Sequence, residues 1–136
     1  MMALERARVP TGKDRWVLRS TLPTAPAGPF RGPMVVTMRW LTPVQAIIAT
    51  QVSARFPFNH GAPIHIGDPQ EIGADLAQPL FGPPVECVPP GQVAVFWACG
   101  VTPQSAAEAA GIELMICHAP AHSFITDRRA DHFCLP

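Results

Sequence analysis

Residues 93–98 read VAVFWA, and residues 99–104 continue CGVTPQ. The first run is apolar throughout, which predicts a strand buried on both faces and hence the centre of a sheet. The continuation predicts a turn and then an alanine-rich helix over residues 103–110, with Thr102 as N-cap, Pro103 as the first helical residue and Gly111 as the stop. A further strand is expected over residues 114–117 and a short extended piece over 123–126.

Working backwards from that strand, residues 62–66 (APIHI) predict a short strand closed by Gly67-Asp68-Pro69, with Asp68 capping a helical turn over residues 69–76. Residues 34–38 (MVVTM) predict another strand, and Thr42-Pro43 opens a helix that runs to Arg55 and is stopped by Phe56-Pro57. Val44, Ile47, Ile48 and Val52 share one face of that helix and are its expected buried stripe. Residues 21–33 (TLPTAPAGPFRGP) hold four prolines and two glycines and read as an extended loop. Residues 1–19 form a divergent basic lead-in, and residues 20–136 a single domain. Strands and helices that alternate in this way give an α/β or mixed α+β fold: a mixed sheet with flanking helices.

Composition narrows the function. Ten basic and ten acidic side chains cancel in a chain of 136 residues, so nothing favours a nucleic acid or a charged membrane surface as partner. No apolar stretch approaches the roughly 20 residues that span a bilayer, and the first residues lack the pattern of a signal peptide. Cys87, Cys99, Cys117 and Cys134 form no close pair and lie mostly among apolar neighbours. They read as reduced thiols of a cytoplasmic protein.

The polar chemistry gathers in three segments at strand ends: HGAPIHIGDP (residues 60–69), FWACGVTPQ (96–104) and HAPAHSFITD (118–127). Sites collect at such ends, and three of them predict one shared cleft. His60, His65, His118 and His122 are candidate acids or bases because imidazole titrates near neutral pH, although each can equally pin a turn. HAPAH contains a proline, so its histidines lack the helical spacing of a zinc-protease motif. Cys99 is a candidate nucleophile beside a helix start, or else a small core residue. Asp68 and Asp127 can orient a histidine, or simply form turns. Arg39, just beyond the MVVTM strand, can grip a substrate carboxylate. The helix start at Thr102 and Gln104 offers a second carboxylate site.

TAPAGPFRGPMVVTMR (residues 24–39) and the three segments above, in this order, resemble the D-glutamate cyclase family of hydro-lyases. The resemblance covers residues 20–127 and corresponds to the carboxyl-terminal half of the family chain. It implies reversible conversion of D-glutamate into 5-oxo-D-proline and water, a small amino or cyclic acid as substrate, and no cofactor. It also implies that an amino-terminal half is missing, which leaves apolar surface for a homo-oligomer or for that half. Ala121 departs from the family's HAPGH. Two other readings stand beside this one: a non-catalytic remnant that binds a small carboxylate or a partner chain, and a metal-dependent amide or lactam hydrolase.

Overall fold

A strand survives in a folded protein only where its backbone groups find a partner, and VAVFWA finds two. In the computed structural model, which describes residues 15–119, 122 and 125–135, strand β4 (Val93–Ala98) lies between β2 (Pro33–Leu41) and β3 (His65–Ile66). Strand β1 (Trp16–Pro23) pairs with the other side of β2, giving the order β1-β2-β4-β3 with every pairing antiparallel. Helix α1 (Pro43–Ala54) and helix α2 (Val101–Ala109) complete an α+β domain, with short 3₁₀ turns at Pro69–Ile72 and Ala130–Phe133.

Alternation along the strands builds two apolar layers. One holds Leu18, Val36, Met38, Ala94 and Phe96, covered by Ile72 and Ala74 from the segment after β3. The other holds Leu41, Val95 and Trp97, covered by Ala46 and Ala49 of α1. Val95 and Phe96 are both fully buried, so β4 is sandwiched as its composition requires.

Helix α1 starts where Thr42 and Pro43 place it. The Thr42 hydroxyl accepts from the Gln45 amide while the Gln45 side chain accepts from the Thr42 amide, a reciprocal capping box. Its buried face only partly matches the expected one: Ile48 packs on the layer with Ala46 and Ala49, whereas Val44 and Ile47 are 66% and 60% exposed. Small side chains let the helix settle closely on Leu41, Val95 and Trp97, and the Trp97 indole donates to Ser53 Oγ at 3.2 Å to fix the approach.

Three other expectations are corrected. Residues 21–23 belong to β1 rather than to a loop, because Leu18, Ser20 and Leu22 turn inward along the β2 ladder and buried Ser20 donates its hydroxyl to the Met34 carbonyl. Residues 114–117 form no strand: they are exposed and irregular, because β propensity without a neighbouring ladder does not order a chain. Helix α2 begins at Val101 with Gly100 before it, so Thr102 lies in the first turn and is not the N-cap. Its hydroxyl serves β2 instead, accepting from the Val35 amide at 3.0 Å and donating to the Val35 carbonyl at 3.1 Å. Of the expected extended piece over residues 123–126, Ser123 and Phe124 lie outside the described residues, as does Ala121; Ile125 and Thr126 are exposed coil.

Candidate functional site

The carboxyl end of β4 is where two of the three polar segments meet. Residues 56–61 form a tight turn in which the Phe56 carbonyl accepts from the amides of Asn59 and Gly61. His60 sits in that turn at φ 76°, alone among the described non-glycine residues in having positive φ. Histidine enters this region more readily than branched residues, and holding it there costs about 1–3 kcal/mol that surrounding contacts must offset. One such contact is the 2.8 Å hydrogen bond from His60 Nδ1 to the carbonyl of Ala98, the last residue of β4. A carbonyl only accepts, so Nδ1 carries the proton in neutral His60 and Nε2 is left with its lone pair.

The turn that His60 touches is tied down from the opposite side. The Cys99 amide donates to the Val35 carbonyl at 3.0 Å, and the Cys99 carbonyl accepts from the Thr102 amide at 3.0 Å. A side chain at Gly100 would come to 3.9 Å from the His60 ring, so imidazole and glycine are near neighbours. His60, half-buried Cys99, Gly100 and Thr102 therefore form one group at the end of β4 and the start of α2.

His65 flanks β4 two residues back along the same strand. It lies opposite Phe96 in the ladder, with ring centroids 5.5 Å apart. Its side chain is only 15% exposed, and Nε2 donates to the Asp68 carbonyl at 2.9 Å with Glu71 Oε2 3.7 Å away. Asp68 itself caps the 3₁₀ turn, its carboxylate accepting from the Gln70 amide. His65 thus has the tautomer opposite to that of His60, with the proton on Nε2. His60 and His65 flank positions 98 and 96 of β4, about 7 Å apart along a strand that rises roughly 3.3 Å per residue.

The remaining candidates are placed differently. Arg39 is inside β2 rather than beyond it, opposite Val95 and 9% exposed, so it lies in the sheet on the layer that α1 covers. Gln104 turns along α2, donating to Glu108 at 3.3 Å and accepting from the Cys117 thiol at 4.0 Å. His118 is exposed, with Nδ1 3.0 Å from the neighbouring Ala119 carbonyl, and the His122 amide closes a local turn onto the same carbonyl. Asp127 is exposed at a bend. Among the described residues, the His60–Ala98 bond joins the first two segments, and the third approaches the second where Cys117, next to His118, meets Gln104. Among the described residues, no three His, Cys, Asp or Glu side chains are grouped to hold a metal ion, and no helix is long and apolar enough to cross a membrane.

The Ala98 carbonyl, the Val35 backbone and Glu71 are partners that the sequence does not announce. A backbone carbonyl has no sequence signature, and Glu71 approaches His65 only because the 3₁₀ turn folds back. A weak signal existed for His60, since Asn-His-Gly is turn composition.

A family model described as D-glutamate cyclase matches residues 2–127. A protein named "Putative hydro-lyase" from Methylobacterium sp. (strain 4-46) is 54% identical over 118 residues, covering 86% of this chain and 44% of its own. A namesake from Bordetella petrii is 56% identical over 110 residues, with 80% and 41% covered, and one from Rhodopseudomonas palustris (strain TIE-1) is 50% identical over 132 residues, with 96% and 46% covered. The chain spans less than half the length of these curated relatives. With a family match over most of its residues and relatives at half identity, this chain belongs to the D-glutamate cyclase family.

Proposed function

We propose that this chain carries acid–base residues of a hydro-lyase that interconverts D-glutamate and 5-oxo-D-proline plus water. Family membership supports the reaction class, and the observation that carries the residue assignment is the His60–Ala98 hydrogen bond. In the cyclising direction the α-nitrogen bonds to the γ-carboxyl carbon and one C–O bond of that carboxyl breaks. The ammonium sheds two protons and the departing oxygen collects two, leaving as water. Nothing is oxidised or reduced, and the net charge of the organic acid is unchanged.

Such a step needs one group that takes a proton and returns it. His60 Nε2 suits this role because the Ala98 carbonyl holds the proton on the other ring nitrogen and so presents the lone pair outward. The peptide N–H groups at the start of α2 suit the α-carboxylate, since a helix start favours negative charge. His65, braced against Phe96 and Asp68, positions the loop that delivers the site rather than exchanging protons.

The test is an NMR time course of the purified chain with D-glutamate, and separately with 5-oxo-D-proline, run beside the full-length Methylobacterium relative. Conversion of either compound by the chain, lost in His60→Asn, is the expected result. Conversion by neither protein overturns the substrate, and conversion that survives His60→Asn overturns the role of the histidine. An active relative beside an inactive chain shifts the chemistry to the length that this chain does not span.

A further inference from the structure

A groove of about 390 Å³ runs between α1 and the outer side of β3, lined by Pro43, Ala46, Ile47, Thr50, Gln51, Ile66 and Val93. No lining residue is charged; Ala46 and Val93 belong to the margin of the core, and Ile47 and Ile66 are 60% and 46% exposed. Beside it, β3 ends the strand order, so its outer backbone edge has no strand partner among the described residues. The edge is short, the two residues His65 and Ile66, and carries neither a fixed charge nor a proline that would turn an added backbone away. Val44, 66% exposed one turn earlier on α1, extends the apolar strip.

Three relatives that match this chain at 50–56% identity leave more than half of their own length unmatched. We propose that the groove between α1 and β3 seats an uncharged, apolar segment from the part of the family fold that these 136 residues do not span, lying along the free edge of β3. The lining explains the partner's chemistry: an apolar, uncharged wall favours apolar side chains, and the open edge favours an extended backbone. It also accounts for Val44 and Ile47 standing outside while Ala46, Ala49 and Ile48 pack on the sheet. This inference is independent of the acid–base assignment and rests on the groove and the unmatched length alone.

The experiment co-expresses the full 136-residue chain with the unmatched segment of the Methylobacterium relative and measures mass by size-exclusion chromatography with light scattering. A 1:1 complex is expected. Ile66→Glu should weaken it at least about ten-fold, as loss of a central apolar contact does. Gln51→Trp, at an exposed polar position in the same groove, should weaken it comparably without touching the core, whereas Val88→Glu, exposed outside the groove, should leave it intact. Thermal unfolding of each variant alone verifies that it is folded. Failure to form a complex overturns the proposal. So does a complex indifferent to both groove substitutions, or a homodimer of this chain that the same substitutions dissolve.

Discussion

The His60 imidazole hangs from the backbone carbonyl of Ala98 at 2.8 Å, thirty-eight residues on in the chain and the last residue of the most buried strand. This bond joins the strained turn before β3 to the rigid end of β4, and it sets which ring nitrogen is free. Two consequences are separable. Under the proposed function the ring position matters to chemistry, while the positive φ beneath it matters to stability.

His60→Gly removes the ring and relieves the φ of 76° together. The chain should unfold within a few degrees of the parent on thermal melting, because relief of about 1–3 kcal/mol of strain offsets the lost hydrogen bond. Turnover of D-glutamate, by contrast, should fall by about 10²–10⁴-fold, the usual contribution of a positioned acid–base group. Melting and turnover that fall together would mark His60 as structural.

Thr102→Val exchanges a hydroxyl for a methyl of similar volume beside Val35. The Val35 carbonyl keeps the Cys99 amide as donor, but the Val35 N–H loses the Thr102 oxygen that accepted from it. An orphaned amide in a buried residue costs about 1–3 kcal/mol, and urea unfolding should show that loss. Thr102→Ser retains the hydroxyl and should recover most of it.

Gly73 closes the 3₁₀ turn at φ 63°, and a side chain there would strike the Thr21 side chain of β1. Gly73→Ala should destabilise by about 1–3 kcal/mol, combining a left-handed backbone with a clash against the exposed Thr21 side chain, which must turn aside. Gly91, at φ 71° with open space around it, isolates the backbone part: Gly91→Ala should cost only about 1 kcal/mol. Adding Thr21→Ala to Gly73→Ala should recover the clash and leave the backbone cost, which a double-mutant cycle in urea measures.

The two sides of α1 should respond in opposite ways. Ala49 is fully buried against Val95 and Trp97, so Ala49→Leu overpacks the layer and should cost about 1–3 kcal/mol. Ile47→Ala removes an exposed side chain and should shift the stability of the isolated chain by no more than about 0.5 kcal/mol. Equal effects would contradict the observed rotation of the helix.

What residue order determined by itself is local. The apolar run of β4 determined a strand buried on both faces, Thr42-Pro43 and Gln45 determined where α1 begins, and Asp68-Pro69 determined the turn that follows β3. Each rests on contacts within a few residues, or on burial so complete that composition announces it. What tertiary structure decided is everything that depends on a distant partner. Leu18 and Ser20 joined a strand because β2 offered a ladder, while residues 114–117, equally suited to one, found none and stayed exposed. Helix α1 packs Ala46, Ala49 and Ile48 on Leu41, Val95 and Trp97 and leaves Val44 and Ile47 outside, a rotation that depends on the sheet face beneath it. Thr102 looked like a cap and became a bracket on Val35. His60 and His65 looked alike as strand-flanking histidines; only the carbonyls of Ala98 and Asp68, backbone groups with no signature in residue order, gave them opposite tautomers.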